Sequence, residues 1–312
     1  MTPSAIDILS MLNHRHVANS LSTNSELIEA IKSGTLDAKG RHLLTTDQQS
    51  KGRGQRGRSW QSPQGNVYLS LYHPLDCSIS GLLSLLVGMA LAKMPIIQAL
   101  NEQLRTQGLM PIGVKWANDL GFYSPDNTKP SAVVPFHKLA GILIEPVWQA
   151  GTLIGVVIGV GLNVQTTPTL THQASEGLSY EAISLQDIYS ELPKNAGDER
   201  TKALPSLQEL YQQMSRALLT AVACFKDMVQ ADSHTQEHLT RDFLQQFACV
   251  DALAGLRLRV TQESDTQCHL IEGDACGIDT QGCLQLRQDD GKICALFTGR
   301  IEVINGLLVS NK

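Results

Sequence analysis

Asp47-Gln48-Gln49-Ser50-Lys51-Gly52-Arg53-Gly54-Gln55-Arg56-Gly57-Arg58-Ser59-Trp60 is the stretch around which this chain is organised. Within it, residues 51–58 carry four cations (Lys51, Arg53, Arg56, Arg58) and three glycines (Gly52, Gly54, Gly57), with no aliphatic side chain to place in a core. Burial cannot hold such a segment. It reads as a loop whose glycines let backbone N–H groups approach a ligand and whose guanidinium forks match phosphate or carboxylate oxygens.

Gly52 to Gly57 satisfies G-x-G-x-x-G, but a dinucleotide site needs a buried strand before the glycines and a helix opening within them. Ser62-Pro63-Gln64-Gly65 follows and leaves that helix no room. Gly52 to Ser59 also mimics a phosphate-cradling P-loop, with Arg58 where lysine belongs, and the missing helix counts against it equally. An RGG-like nucleic-acid tract would use the arginines for phosphates and Trp60 for stacking. The plainest alternative is a solvated basic loop.

The rest of the composition narrows this choice. The net charge is -5, so the basic loop is a local exception on an acidic chain; extended nucleic-acid binding wants a basic face, and a small anionic ligand is the better match. Seven cysteines, an odd number without a C-x-x-C pair, read as reduced thiols of a cytoplasmic protein. Met1 to Asn13 has no basic segment followed by an apolar one, and the apolar run Ile79–Leu91 is too short to span a bilayer, so neither secretion nor a membrane is expected. At 312 residues the chain divides into a larger domain, 1–250, and a smaller one, 251–312.

Taken in order, Ile6 to Leu12 suits one short helix. A second is predicted from Ser22-Thr23-Asn24 to Lys32, with Thr23 and Glu26 as a capping box, stopping at Ser33-Gly34. His42–Thr46 and Asn66–Tyr72 are strands on either side of the basic loop. Ser80–Gln107 is a long apolar helix broken at Pro95. Ile112–Tyr123 is a strand with its polar members at Lys115, Asn118 and Asp119, although Asn-Asp commonly makes a turn. Ser124–His137 reads as a proline-containing excursion, and Lys138–Trp148 and Thr152–Val164 as a hairpin turning at Gln149-Ala150-Gly151.

Residues 166–203 read as polar and irregular. Leu207, Leu210, Tyr211, Met214, Leu218 and Val222 then mark an amphipathic helix, followed by a second over Gln236–Phe247. His234-Thr235-Gln236-Glu237-His238 matches the zinc pattern H-x-x-E-H, but its polar surroundings favour an exposed helix end. No G-x-S-x-G elbow occurs. From Ala254 onward, short strands separated by glycine turns predict a small β-barrel.

Four ordered motifs resemble the catalytic core of biotin protein ligases: Ser22-Thr23-Asn24, Gly52 to Trp60, Lys115-Trp116-Ala117-Asn118-Asp119, and Lys138-Leu139-Ala140-Gly141-Ile142-Leu143. Ile158–Val164 is similar to the family's following Gly-x-Asn strand. The resemblance implies an α+β fold with a mixed-sheet catalytic domain of the class II synthetase-like type and a C-terminal SH3-like barrel. It implies activation of biotin by ATP as biotinyl-5'-AMP, then transfer to a lysine of the biotin carboxyl carrier domain of a carboxylase such as acetyl-CoA carboxylase.

Carried over by position, Ser22, Thr23, Asn24 and Gln49 would bind the ureido head of biotin, with Gly52, Gly54, Gln55 and Gly141 lining its site. Arg53 and Lys138 would face the biotin carboxylate and the α-phosphate and, with Lys115, act in catalysis. Arg56 and Arg58 would point to pyrophosphate. Trp60, Lys115, Asn118, Asp119 and Asn163 would shape the ATP side, with Asp119 reaching Mg²⁺. The loop would order over ligand and seal the adenylate from water.

The sequence departs from the pattern at Gln55, where many of these ligases have arginine, which weakens the expected hold on the adenylate. Ala117 replaces the usual proline, Leu21 replaces an acidic residue, and the excursion from Ser124 to His137 is longer than usual. Twenty-one residues precede Ser22, too few for a winged helix-turn-helix, so no DNA binding is expected. Exposed sheet edges in such cores can pair, which allows a homodimer. Two rival readings are a lipoate or octanoate transferase of the same architecture, whose Arg-Arg-x-Ser-Gly-Gly segment is missing, and a single-stranded nucleic-acid binding module.

Overall fold

The computed structural model describes residues 7–123, 133–168, 180–192, 204–263 and 268–304. The strands that frame the basic loop belong to one mixed sheet. Its members in chain order are β1 (Asn13–Ser20), β2 (His42–Gln49), β3 (Val67–Pro74), β4 (Gly113–Lys115), β5 (Asp119–Tyr123), β7 (Phe136–Gln149), β8 (Thr152–Leu162) and β9 (Tyr180–Ala182). In space they run β1-β2-β3-β8-β7-β5-β4, with β9 paired to β7. β1 lies parallel to β2 because α1 (Thr23–Lys32) makes the crossover; β9 is the other parallel member and the remaining pairs are antiparallel.

Alternation along β2 sends its side chains to two cores. Leu44 joins Leu27 and Ile31 of α1 with Tyr72, Val147 and Val157 on one face. Leu43 faces the larger core, where α2 (Gly81–Ala92), α3 (Pro95–Thr106) and α5 (Leu207–Gln230) pack. The expected break at Pro95 is present as a bend of 69° between α2 and α3. Among the described residues no single helix is long and apolar enough to cross a membrane.

Some local expectations change. Thr23 and Glu26 do not form the capping box; Glu26 Oε1 instead accepts from Ser20 Oγ at 2.6 Å and from the backbone N–H of Leu21 at 3.1 Å, tying the end of β1 to α1. β1 itself was not anticipated, because it is a mostly exposed edge strand of polar residues without apolar alternation. In the stretch read as irregular, β9 and the short helix α4 (Leu185–Glu191) are present, the latter with a Ser184–Asp187 capping box. Residues 124–132 of the excursion lie outside the described residues, but Val133–Val134 forms β6.

The H-x-x-E-H residues lie on the exposed face of α6 (Ser233–Ala248). Glu237 pairs with Arg241 at 2.8 Å and His238 with Asp242 at 3.2 Å. The described residues contain no cluster of three or more metal-ligating side chains.

The C-terminal strands are β10 (Arg257–Glu263), β11 (Cys268–Ile278), β12 (Leu284–Arg287), β13 (Ile293–Leu296) and β14 (Arg300–Ile304), in the antiparallel order β13-β12-β11-β10-β14-β6. Thus β6, from the first part of the chain, completes the second sheet through Val134↔Val303 and Val133↔Ile304. A further tie is the Trp116 indole, whose Nε1 donates to the Gly282 carbonyl at 2.8 Å. The fold is α+β, a mixed sheet with a small antiparallel sheet of the SH3-like kind beside it.

Candidate active site

The basic loop is a compact hairpin rather than a free coil. Gly54 N–H donates to the Arg58 carbonyl at 2.7 Å and Trp60 N–H to the Gly52 carbonyl at 2.8 Å, with a tight turn at Gln55–Gly57. Gly52 is required by close backbone approach, since a Cβ there would lie 2.3 Å from the Trp60 carbonyl oxygen.

The expectation that nothing apolar anchors the loop is corrected by Trp60. Gly141 of β7 and Gly161 of β8 are register partners, and their missing side chains leave a slot for the indole. A Cβ on Gly161 would come within 2.5 Å of that ring, and one on Gly141 within 2.8 Å. An aromatic face thus closes over two glycines and pins the loop to the sheet.

Pinning the loop brings distant cations together. Gly54, Gln55, Arg56, Arg58 and Trp60 share one cleft with Lys115, Asn118, Asp119 and Lys138, with Tyr180 at its wall and residues 297–301 of the C-terminal sheet at its rim. Lys138 Nζ lies 2.7 Å from Asp119 Oδ1, and Asp119 Oδ2 accepts from the Tyr180 hydroxyl at 3.0 Å. Lys115 Nζ donates to that same hydroxyl at 2.9 Å and stands 4.0 Å from the centre of the Tyr180 ring. Burial pulls Lys115 down from the usual lysine range to about 7; Asp119 opposes this, while Lys138 and Arg58 add to it. Burial, reinforced by the Asp119 charge, pushes the Tyr180 hydroxyl well above the usual tyrosine value.

Asp119 is the residue expected to reach Mg²⁺. Its Oδ1 is ion-paired with Lys138 and its Oδ2 accepts from Tyr180, and it is the one carboxylate among the described residues that line the cleft. That donor set does not fit a resident protein-held ion.

Other expected site residues form a network with one another. The backbone N–H and hydroxyl of Thr23 both donate to Gln49 Oε1, at 2.9 and 3.2 Å, and Gln49 Nε2 donates to Ser62 Oγ at 3.0 Å. Asn24 Nδ2 donates to the Leu143 carbonyl and to Glu145 Oε2, and Asn24 Oδ1 contacts Ser70 Oγ. Gly159 makes room for Asn24, because a Cβ there would meet Oδ1 at 2.1 Å. Ser22 is buried beside them. Asn118 and Asn163 direct their amides to backbone carbonyls, those of Ile142 and Ile183, and so brace the strands around the cleft.

Arg53 is placed apart from Lys138. Its guanidinium pairs with Glu145 at 2.5 Å and donates to Ser25 Oγ at 2.9 Å, facing a separate depression with Lys32 and Pro146. Glu145 and Tyr180 were both missed from sequence. A carboxylate within an otherwise apolar strand was the available signal for Glu145; nothing near Tyr180 marks it out.

Comparison with known proteins bears on the family and the fold. Residues 20–163 match the sequence profile of the biotin/lipoate A/B protein ligase family. The bifunctional ligase/repressor BirA of Salmonella typhimurium is 30% identical over 277 residues, covering 86% of this chain and 67% of BirA; the Escherichia coli BirA is 30% identical over 271 residues with the same coverage. In fold, the chain is similar to the Aquifex aeolicus biotin protein ligase solved with biotin and ATP, with a TM-score of 0.59 at 19% identity, covering 93% of this chain and 97% of that one. The protein therefore belongs to the biotin/lipoate A/B protein ligase family and is a ligase of its biotin protein ligase branch.

Proposed function

We propose that the chain condenses biotin with ATP to biotinyl-5'-AMP and pyrophosphate, then passes the biotinyl group to a lysine of a biotin carboxyl carrier domain. The observation that carries this reading is the cleft itself, where Arg56, Arg58, Lys115 and Lys138 converge on a space in which Asp119, the one carboxylate among the described lining residues, is already paired. Two unit negative charges at about 4 Å repel by roughly 4 kcal/mol at an effective dielectric near 20. Pre-placed cations offset that repulsion and the charge that builds at phosphorus as the biotin carboxylate oxygen attacks and pyrophosphate leaves. Mg²⁺ would arrive on the triphosphate.

The same arrangement serves the second step. The carrier amine attacks the acyl carbon, the acyl–oxygen bond to AMP breaks, and the cations around Lys138 stabilise the departing phosphate. Trp60 and the loop it anchors cover the cleft and exclude water, which would otherwise hydrolyse the mixed anhydride. Arg53 joins the reacting carboxylate by exchanging Glu145 for it. The similar Aquifex aeolicus structure, a biotin protein ligase solved with biotin and ATP, supports this choice of acyl group.

The test is ATP–pyrophosphate exchange with purified protein, run with biotin and, separately, with lipoate. Exchange is expected with biotin. Lys138→Ala and Arg53→Ala should each lower it at least 100-fold, about 3 kcal/mol or more of transition-state stabilisation, with the melting curve unchanged for Arg53→Ala and lowered for Lys138→Ala, which leaves the buried Asp119 carboxylate without its ion-pair partner. Unaltered turnover in both variants would refute their roles, and exchange with lipoate alone would refute the substrate.

A further inference from the structure

We propose that Tyr180 is a positioning residue for the adenylation step, its hydroxyl acting as a spacer that keeps Lys115 off Asp119 and available to the reacting phosphate, an inference that rests on the ligase reading above. Tyr180 is the register partner of Phe136, two residues before Lys138, so the pairing of β9 with β7 delivers its side chain to the cleft. A phenol hydroxyl has one proton to give and lone pairs with which to accept. Here the proton goes to Asp119 Oδ2 at 3.0 Å, and the oxygen accepts from Lys115 Nζ at 2.9 Å. Asp119 Oδ1 is left for Lys138 at 2.7 Å. One carboxylate thus serves two lysines, one directly and one through a hydroxyl.

The ring fixes where that hydroxyl stands. It meets Phe136 edge-on, with 5.7 Å between ring centres, and its own centre is 4.0 Å from Lys115 Nζ and 5.3 Å from Lys138 Nζ. Both lysines are in range of its π-electrons.

Lys115 and Asp119 are register partners across β4 and β5, which puts their side chains opposite one another. Without the hydroxyl, the ammonium would close on Oδ2 as a contact ion pair, because a buried cation and a buried carboxylate left unpartnered are each costly. Two lysines would then share one carboxylate directly, and Lys115 would be withdrawn from the charge that builds at phosphorus. No other neighbour of Lys115 replaces the spacer. Lys138 of β7 and Arg58 of the loop repel it, Glu302 of β14 attracts it less than Asp119 does, and Tyr123 of β5 offers a ring centre at 5.9 Å.

The test uses the full chain with Tyr180→Phe, which keeps the ring and removes the hydroxyl, and Tyr180→Ala, which removes both. Tyr180→Phe should lower kcat for biotin-dependent ATP–pyrophosphate exchange about tenfold, with the KM for ATP and for biotin within about threefold of the parent. Tyr180→Ala should fall at least as far. Urea unfolding adds a readout that needs no substrate. The pH above which stability begins to climb, about 7 in the parent, should move up by about one unit or more in Tyr180→Phe, because direct contact with Asp119 holds the Lys115 proton. Parental kcat in Tyr180→Phe overturns the proposal, since the ring would then suffice. An unmoved pH dependence overturns it as well, as does a rise in both KM values matching the fall in kcat, which marks a collapsed cleft. Should the unaltered protein lack biotin-dependent exchange while the pH shift still appears, the ligase reading fails and the hydroxyl's hold on Lys115 stands.

Discussion

Lys115 is the most unusual ionisable side chain of the cleft. It is 4% exposed, and its ammonium lies 4.0 to 5.9 Å from the ring centres of Tyr180, Phe136 and Tyr123, which offset part of its lost hydration. Its value falls from 10.5 in the unfolded chain to about 7 in the fold, because burial disfavours the charged form. Between those values the unfolded chain binds a proton that the folded chain does not. Stability from this group therefore rises as pH increases from 7 to 10.5, and the full penalty is present below 7. Lys115→Met should accordingly be more stable than the parent near pH 6–7, by roughly 1–3 kcal/mol, with the gain shrinking toward pH 10 and exchange activity lost. Urea unfolding across that pH range measures it; a gain that grows with pH would contradict the account. The motif Lys115 to Asp119 was legible as a chemical cluster, but Tyr180, which joins its two ends, stands far along the chain and only β9 pairing with β7 brings it in.

At the scale of elements, the loop hairpin and the β7–β8 pair act as one unit. Gly161→Ala would drive a methyl into the Trp60 indole, and overpacking of this kind costs about 1–3 kcal/mol. Because the loop has no second apolar anchor, displacement of Trp60 is the easiest relief. The variant should be cleaved by trypsin within residues 51–58 at least about fivefold faster than the parent, with global melting lowered only slightly. Equal cleavage rates would mean that Trp60 does not hold the loop. The flanking strands, the break at Pro95, the β7–β8 hairpin and α5 were all readable from alternation, helical spacing or turn residues. β1 was not, because an edge strand that buries little carries no period-two signal, and α4 was hidden in polar surroundings by its short length.

For the whole molecule, the question is what seats the C-terminal sheet against the cleft. One tie is the Trp116–Gly282 hydrogen bond, and another is the pairing of β6 with β14. Trp116→Phe removes the first and leaves the Gly282 carbonyl unpaired, which costs about 1–2 kcal/mol and lowers the melting temperature by about 1.5–3 °C. Since Trp116 also lines the cleft, ATP binding should weaken with it, and a melting curve unchanged from the parent would deny the tie its weight.

By itself the sequence determined the chemistry: its four ordered motifs carry the cations, glycines and amides of a ligase, because residue type and local spacing are enough to specify turns, strand pairs and charge. Only the tertiary structure decided which of those charges face one another. Arg53 turns to Glu145, Lys138 to Asp119, and Arg300 joins the cleft from the far end of the chain, since pairing across a sheet and between sheets depends on register and packing that no local pattern encodes.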